Sequence, residues 1–105
     1  MFMEQQKAFR AVADPTRRAI IDLLTKEEMN AGEVAKHFTM SRPAVAKHLR
    51  ILRDGGIIAV RRSGRRRIHW LRPEGLRILA DWISHYEQFW NERLAVLNRE
   101  VEENE

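Results

Sequence analysis

GEVAKHFTMSRPAVAKHLRILRDGGII, from Gly32 to Ile58, is the stretch on which the fold turns. Just ahead of it, Asn30 with Glu33 three residues later has the form of a capping box, in which each side chain satisfies the other residue's backbone N–H. The box opens a short helix through Val34, Ala35 and Phe38. Thr39 and Met40 make a tight connection. Ser41 then caps a second helix that carries Arg42 and Pro43 in its first turn, and Gly55 and Gly56 stop it just after Asp54. Two short helices joined by a tight turn make a helix-turn-helix, spanning about residues 31–54.

Laid on a wheel at about 100° per residue, the second helix gathers Val45, Leu49 and Leu52 on one side, which is a core face. Pro43, Ala46, Lys47 and Arg50 fall opposite, and Arg42 projects from the N-terminal end. Cationic donors of this kind suit phosphate oxygens or guanine edges, and the Ala46 methyl suits that of thymine. A charged helix face is often only a solvated one, so the sequence that follows carries weight. After Gly56 the period changes from helical to extended. Ile57 to Arg62 and Arg65 to Leu71 are β-rich runs flanking Ser63 and Gly64, a hairpin over about residues 57–71 in which glycine supplies a positive φ.

Arg61, Arg62, Arg65, Arg66 and Arg67 crowd five guanidiniums around this one turn. Their mutual repulsion costs stability unless a polyanion is near, and a hairpin edge would be protected by one or two charges. The reading is a winged helix-turn-helix, with one helix entering the major groove of a duplex and a basic wing gripping the adjacent backbone or minor groove. Because phosphate contacts position and base contacts specify, Arg42, Ala46 and Lys47 are expected near bases. Ser41 and Arg50 are expected at phosphates, Pro43 on the same exposed face, and the five wing arginines at backbone or minor groove.

Working outward, Asp14 before Pro15 is a helix start, and that helix runs through Ile20, Ile21, Leu23 and Leu24 to about Lys26. Phe2, Phe9 and Val12 mark a first helix from about Met3 to Ala13. Beyond the hairpin, Pro73 opens one long final helix to about Glu100, with Leu76, Leu79, Ile83, Tyr86, Trp90, Leu94, Leu97 and Val101 in a stripe at spacings of three and four. Ile78, Trp82, Phe89 and Val96 lie on a different face. One 105-residue domain is not expected to cover both faces. The excess implies a partner, most simply a second copy of the chain related by a two-fold axis. The expected class is mainly α with a small β-hairpin: four helices, the hairpin and a fifth helix in a single domain over residues 1–105.

Charge and composition narrow the function. Nineteen Lys and Arg against fifteen Asp and Glu leave a net charge of only +4. Residues 1–41 balance six bases with six acids, residues 42–72 set ten bases against Asp54 alone, and residues 73–105 set three bases against eight acids. A basic middle beside an acidic tail is the asymmetry of a surface that meets a polyanion. Without cysteine there is no disulfide, thiolate metal site or cysteine nucleophile. No apolar run approaches the roughly 18 residues of a membrane span, and the N-terminus lacks the apolar stretch of a secretory signal. A cytoplasmic protein without membrane insertion is therefore expected. No phosphate loop, nucleophile elbow or zinc-protease motif is present, so neither an enzyme nor a cofactor is expected.

Nearly the whole chain resembles the ArsR/SmtB type of small winged-helix repressors. The resemblance is carried by FRAVADPTRRAIIDLL (Phe9 to Leu24), by the stretch quoted at the outset, and by the arginine-rich wing ending in IHWL. It implies a homodimer held by the first and last helices, here at Phe2, Phe9, Trp82, Tyr86, Phe89, Trp90, Leu94 and Leu97, that binds a double-stranded DNA operator of two-fold symmetry and usually blocks transcription. Many members of that type release DNA on binding metal, at a cysteine site in or near the third helix or at an Asp-x-His pair completed by His-x-x-Glu ten residues on. Here Ala31 to Phe38 holds no cysteine, Asp81 is followed by Trp82 and Ile83, and the distant His is missing, so neither metal site carries over. Asp81 with His85, and Glu33 with His37, are spaced four apart, but two ligands do not complete a transition-metal site. His48 and His69 are read as packing or hydrogen-bonding around the DNA-reading elements. Two other readings stay open: a docking module for a regulatory protein partner, and a small-ligand sensor built on Trp82, Tyr86, Phe89 and Trp90.

Overall fold

The computed structural model describes residues 2–103; the side chain of Phe2, one of the expected dimer positions, lies outside what is described. The elements are α1 (Phe2–Val12), α2 (Pro15–Lys26), α3 (Ala31–Ala35), α4 (Arg42–Asp54), β1 (Ile58–Ser63), β2 (Arg66–Leu71), α5 (Pro73–Ser84) and α6 (Glu87–Glu103).

Helix starts follow from side chains that satisfy free backbone donors. Asp14 Oδ2 accepts from Arg17 N at 3.1 Å, with Pro15 in the first helical turn. Asn30 and Glu33 close the capping box reciprocally, at 2.8 and 3.1 Å, and Ser41 Oγ accepts from Ala44 N at 3.3 Å. The end of α4 is a Schellman turn: Ile57 N donates to Leu52 O at 3.0 Å and Gly56 N to Arg53 O at 2.9 Å, with Gly56 at φ +72°. Leu52 and Ile57, which this turn brings together, are both fully buried.

The core lies where the helix-turn-helix meets α1, α2 and the root of the hairpin. Ile20 and Leu24 of α2, Val34 of α3, Val45, Leu49 and Leu52 of α4, and Ile57 and Ile58 at the hairpin root are buried together. At roughly 1.5–3 kcal/mol for each buried aliphatic side chain, this cluster is what fixes α4 with its opposite face outward. In the antiparallel hairpin Ile58 pairs with Leu71, Val60 with His69, and Ser63 with Arg66. Gly64 and Arg65 form the two-residue turn, with φ +66° at Gly64 and, among the described residues, no positive φ outside glycine, the pattern of a type II′ turn. Met29 adds a single bridge on the free edge of β2, donating to His69 O at 3.1 Å and accepting from His69 N at 2.7 Å.

Three boundaries differ from the sequence reading. The turn sits one residue later than Ser63 and Gly64, so the strands start at Ile58 and Arg66 rather than Ile57 and Arg65. The third helix ends at Ala35; from there to Phe38 the backbone tightens into i→i−3 bonds, His37 N to Val34 O and Phe38 N to Ala35 O. The single long final helix is two. The chain breaks at His85 and Tyr86, whose N–H groups donate only three residues back, to Trp82 O and Ile83 O. A run of weak helix formers, Ile83 to Tyr86, spans the break. Ser84 Oγ donates to Asp81 O at 2.8 Å, a competing bond of the type that bends helices.

Beyond the break no residue of α6 is buried. The radius of gyration is 18.4 Å, with extents of 64 × 32 × 21 Å. A compact chain of this length would have a radius near 13 Å, so the terminal helix stands away from the core.

Candidate nucleic-acid interface

Of the α4 positions singled out from sequence, Ser41, Arg42, Pro43, Ala46, Lys47 and Arg50 are all exposed, while Val45 and Leu49 between them are buried. The helix is anchored on its hidden side by a polar strut. Arg17, 9% exposed, donates from Nε to Ala11 O and from Nη2 to Arg10 O, each at 2.8 Å, while its Nη1 lies 3.2 Å from His48 Nδ1. An arginine has no acceptor, so His48 Nδ1 accepts and the ring proton belongs on Nε2. Arg18 completes the end of α1 by donating to Val12 O at 2.8 Å. Two cations thus hold the last carbonyls of α1, where they also suit the negative end of the helix. Asp14 Oδ2 is 4.0 Å from His48 Nδ1, and the backbone bond from Arg17 holds this carboxyl below its ordinary range.

The hairpin presents its arginines on two faces. Pleating puts Arg62 on one side with its direct partner Arg67, and Arg61 on the other with Arg66 diagonal to it. Two of the five guanidiniums that crowd the turn are matched internally by carboxylates. Arg61 is bound by both oxygens of Glu28, at 3.0 and 2.6 Å, and lies 5.4 Å above the Trp70 ring. Arg66 is bound by Glu33. Among the described residues, Arg62, Arg65 and Arg67 have no carboxylate in ion-pair range. The hydrogen bonds from Arg61 hold the Glu28 carboxyl below its ordinary range; the backbone bond from Asn30, then Arg66, does the same for Glu33.

Wing and helix-turn-helix meet at a bay of about 500 Å³ lined by Asn30, Ala31, Gly32, Glu33, Lys36, Arg42, Arg65, Arg66 and Arg67. Five of the lining side chains are cationic and one is acidic. Lys36 escapes a sequence reading centred on α4 and the wing, because it follows the short α3 and only the folded chain brings it to the bay. Glu28 escapes too, since its partner Arg61 is 33 positions away.

On the other side of the hairpin His69 is 3% exposed and ties three elements together. Arg53 Nη1 lies 3.3 Å from its Nε2 and must be the donor, so Nδ1 carries the proton and donates to Met29 O at 3.3 Å. Burial first, then Arg53 and Arg67, pushes the imidazole below its ordinary pKa. The reading of His48 and His69 as hydrogen-bonding groups around the DNA-reading elements agrees with both geometries. Among the described residues no group of three His, Asp or Glu side chains could hold a metal ion, and no helix is long and apolar enough to cross a membrane.

Of the expected dimer positions, Phe9 is half-buried and meets Trp82 edge-on at 5.1 Å, and Trp82 leads on to Tyr86 at 5.2 Å. Phe89, Trp90, Leu94 and Leu97 stand exposed along α6.

A family model described as a helix-turn-helix domain matches residues 12–61. The transcriptional repressor SdpR of Bacillus subtilis is 37% identical over 78 residues, covering 74% of this chain and 87% of that protein. The crystal structure of the ArsR family transcriptional regulator RHA00566 superposes with a TM-score of 0.79 at 31% identity, over 87% of this chain and 94% of the other. The solution structure of the homodimeric winged helix-turn-helix DNA-binding domain Mb0332 of Mycobacterium bovis shares the fold, with a TM-score of 0.67 at 22% identity over 83% of each chain. Such relatives are DNA-binding regulators rather than enzymes. With its winged helix-turn-helix, this chain belongs to the ArsR/SmtB family of transcriptional regulators.

Proposed function

We propose that the protein is a homodimeric repressor that binds a two-fold symmetric operator in double-stranded DNA. The observation that carries the reading is the bay between wing and helix-turn-helix, where Lys36, Arg42, Arg65, Arg66 and Arg67 face a single carboxylate. A polyanion relieves that imbalance. Lys47 and Ala46, exposed on the outer face of α4, are the base-reading groups. Arg42 stands at the border of the bay, within reach of either backbone or base. Ser41 and Arg50 take phosphates, and Arg62, Arg65 and Arg67 grip the backbone or minor groove. The apolar side chains of α6 and the Phe9–Trp82–Tyr86 row supply the dimer contact, a state that the Mycobacterium bovis relative adopts.

Fluorescence anisotropy with duplexes from the chain's own upstream region tests the reading. Binding should be sequence-selective, with log affinity falling against log salt by about 0.9 per phosphate neutralised. Arg62→Ala combined with Arg67→Ala should weaken binding to every sequence and flatten the slope by roughly 2 units, whereas Lys47→Ala should change base preference more than salt dependence. Equal, weak binding to all duplexes would refute a repressor.

A further inference from the structure

The carboxylates of Glu33 and Glu28 have a role that neither the fold nor the family assigns. Both sit outside the hairpin, one within α3 and the other before it, and each reaches across to a guanidinium on the same face of the wing. Glu33 lies inside the cationic bay, and its Oε1 accepts at once from Asn30 N and from Arg66 Nη2. It therefore presents, in the free protein, the kind of oxygen acceptor that a DNA phosphate presents in a complex. Glu28 grips Arg61 with both oxygens, the two-pronged geometry a phosphate also uses.

We propose that Glu33 and Glu28 are built-in competitors of the DNA backbone, occupying the Arg66 and Arg61 guanidiniums that a duplex phosphate would otherwise take. The inference deepens the proposed DNA-binding function and rests on it. Both pairs are half open to solvent, with side-chain exposures of 58% and 39% for Arg66 and Glu33, and of 49% and 46% for Arg61 and Glu28. Pairs this exposed exchange partners cheaply. The consequence is a wing whose grip is set below its full charge, so that a sequence-independent hold on any duplex is held down while base contacts from α4 keep their share of the binding energy.

Glu33→Gln is the clean probe, because glutamine keeps the acceptor that the capping box needs and removes only the charge. Glu27→Gln is the control. It makes the same charge change at an exposed residue that has no ion-pair partner among the described residues. Anisotropy on a labelled duplex of mixed sequence, about 30 base pairs long to span two half-sites, needs no knowledge of the operator. Glu33→Gln should bind about two- to fivefold tighter than Glu27→Gln, with a salt slope steeper by about 0.9 as Arg66 takes a phosphate. Glu28→Gln should do the same through Arg61. Arg66→Ala should cost little affinity in the wild type and more in the Glu33→Gln background, a coupling that a change of net charge does not produce. If Glu33→Gln matches Glu27→Gln in affinity and slope, or if Arg66→Ala costs the same in both backgrounds, the inference is wrong while the repressor reading stands. If the wild type binds no duplex at all, both fall.

Discussion

His69 is one side chain doing the work of a three-way joint. Its ring accepts from Arg53 on α4 and donates to Met29 O in the loop before α3, while its own backbone pairs with that same residue. Acceptance from Arg53 requires the neutral ring, and burial with two nearby arginines pushes its pKa below the ordinary 6.5. Between the lowered folded value and 6.5 the unfolded chain binds the proton and the folded one does not, so stability falls as pH drops through that window and is complete above it. The expected outcome is a urea midpoint that declines from pH 7.5 toward pH 5 in the wild type and declines less in His69→Gln. The acid side is separate: Asp14, Glu28 and Glu33 are all held below their ordinary carboxyl values and lose their contribution only as pH falls below about 4.5. An unchanged pH profile in His69→Gln would remove the histidine from the account. The sequence reading of His69 as a packing or hydrogen-bonding group agrees with this joint, but its partners were not legible: nothing in RRRIHWL points to Met29, forty positions earlier.

The elements whose ends are set by local chemistry were legible. Asp14 with Pro15, Asn30 with Glu33, Ser41, and Gly55 with Gly56 each punctuate the chain where the structure does, because caps depend on neighbours within a few positions. What was not legible depends on approach between distant segments. Gly75 reads in sequence as a poor helix residue near the start of α5, yet a Cβ there would lie 2.1 Å from Gly56 O and 2.8 Å from its carbonyl carbon. The start of α5 rests directly on the Schellman turn that ends the reading helix. Gly75→Ala should therefore cost roughly 1–3 kcal/mol or more by forcing backbone apart, measured as a loss in urea midpoint with the α5 amides losing hydrogen-exchange protection. Gly64→Ala makes the contrast, since nothing lies within 4 Å and only its φ of +66° objects. That strain of roughly 1–2 kcal/mol should loosen the wing locally and leave the core exchange unchanged. The break at His85 and Tyr86 shows the same limit from the other side. The apolar stripe runs unbroken in period across it, and periodicity alone cannot register a serine that bonds backward and spoils the turn.

At the scale of the whole molecule, the reading head and the terminal helix are separate pieces of physics. The core closes over α1 to α5 with Leu79 as its last buried side chain, whereas Phe89, Leu94, Leu97 and Val101 of α6 are 55–59% exposed. A helix of 17 residues with this much apolar surface and no buried residue is not stabilised by its own chain. The proposed second copy would cover it most economically, because a two-fold axis lets the same stripe serve both partners. Separation of core from stripe makes the claim testable without unfolding the protein. Leu94→Glu with Leu97→Glu should leave the circular dichroism melt of the winged core in place and convert the species seen by sedimentation equilibrium from dimer to monomer. Specific DNA affinity should then drop by about 10²- to 10⁴-fold, because the second half-site no longer binds as an intramolecular event. Contact by a single head would survive, so the affinity of the variant for one half-site duplex should match that of the wild type. A wild type that sediments as a monomer at high concentration would sink the dimer. A double variant that stays dimeric would move the contact to the Phe9, Trp82 and Tyr86 row, where α1 and α5 already meet. With the contact on either row, the proposed dimer would have the spacing of its two reading helices, and so of its half-sites, decided by residues that never touch DNA.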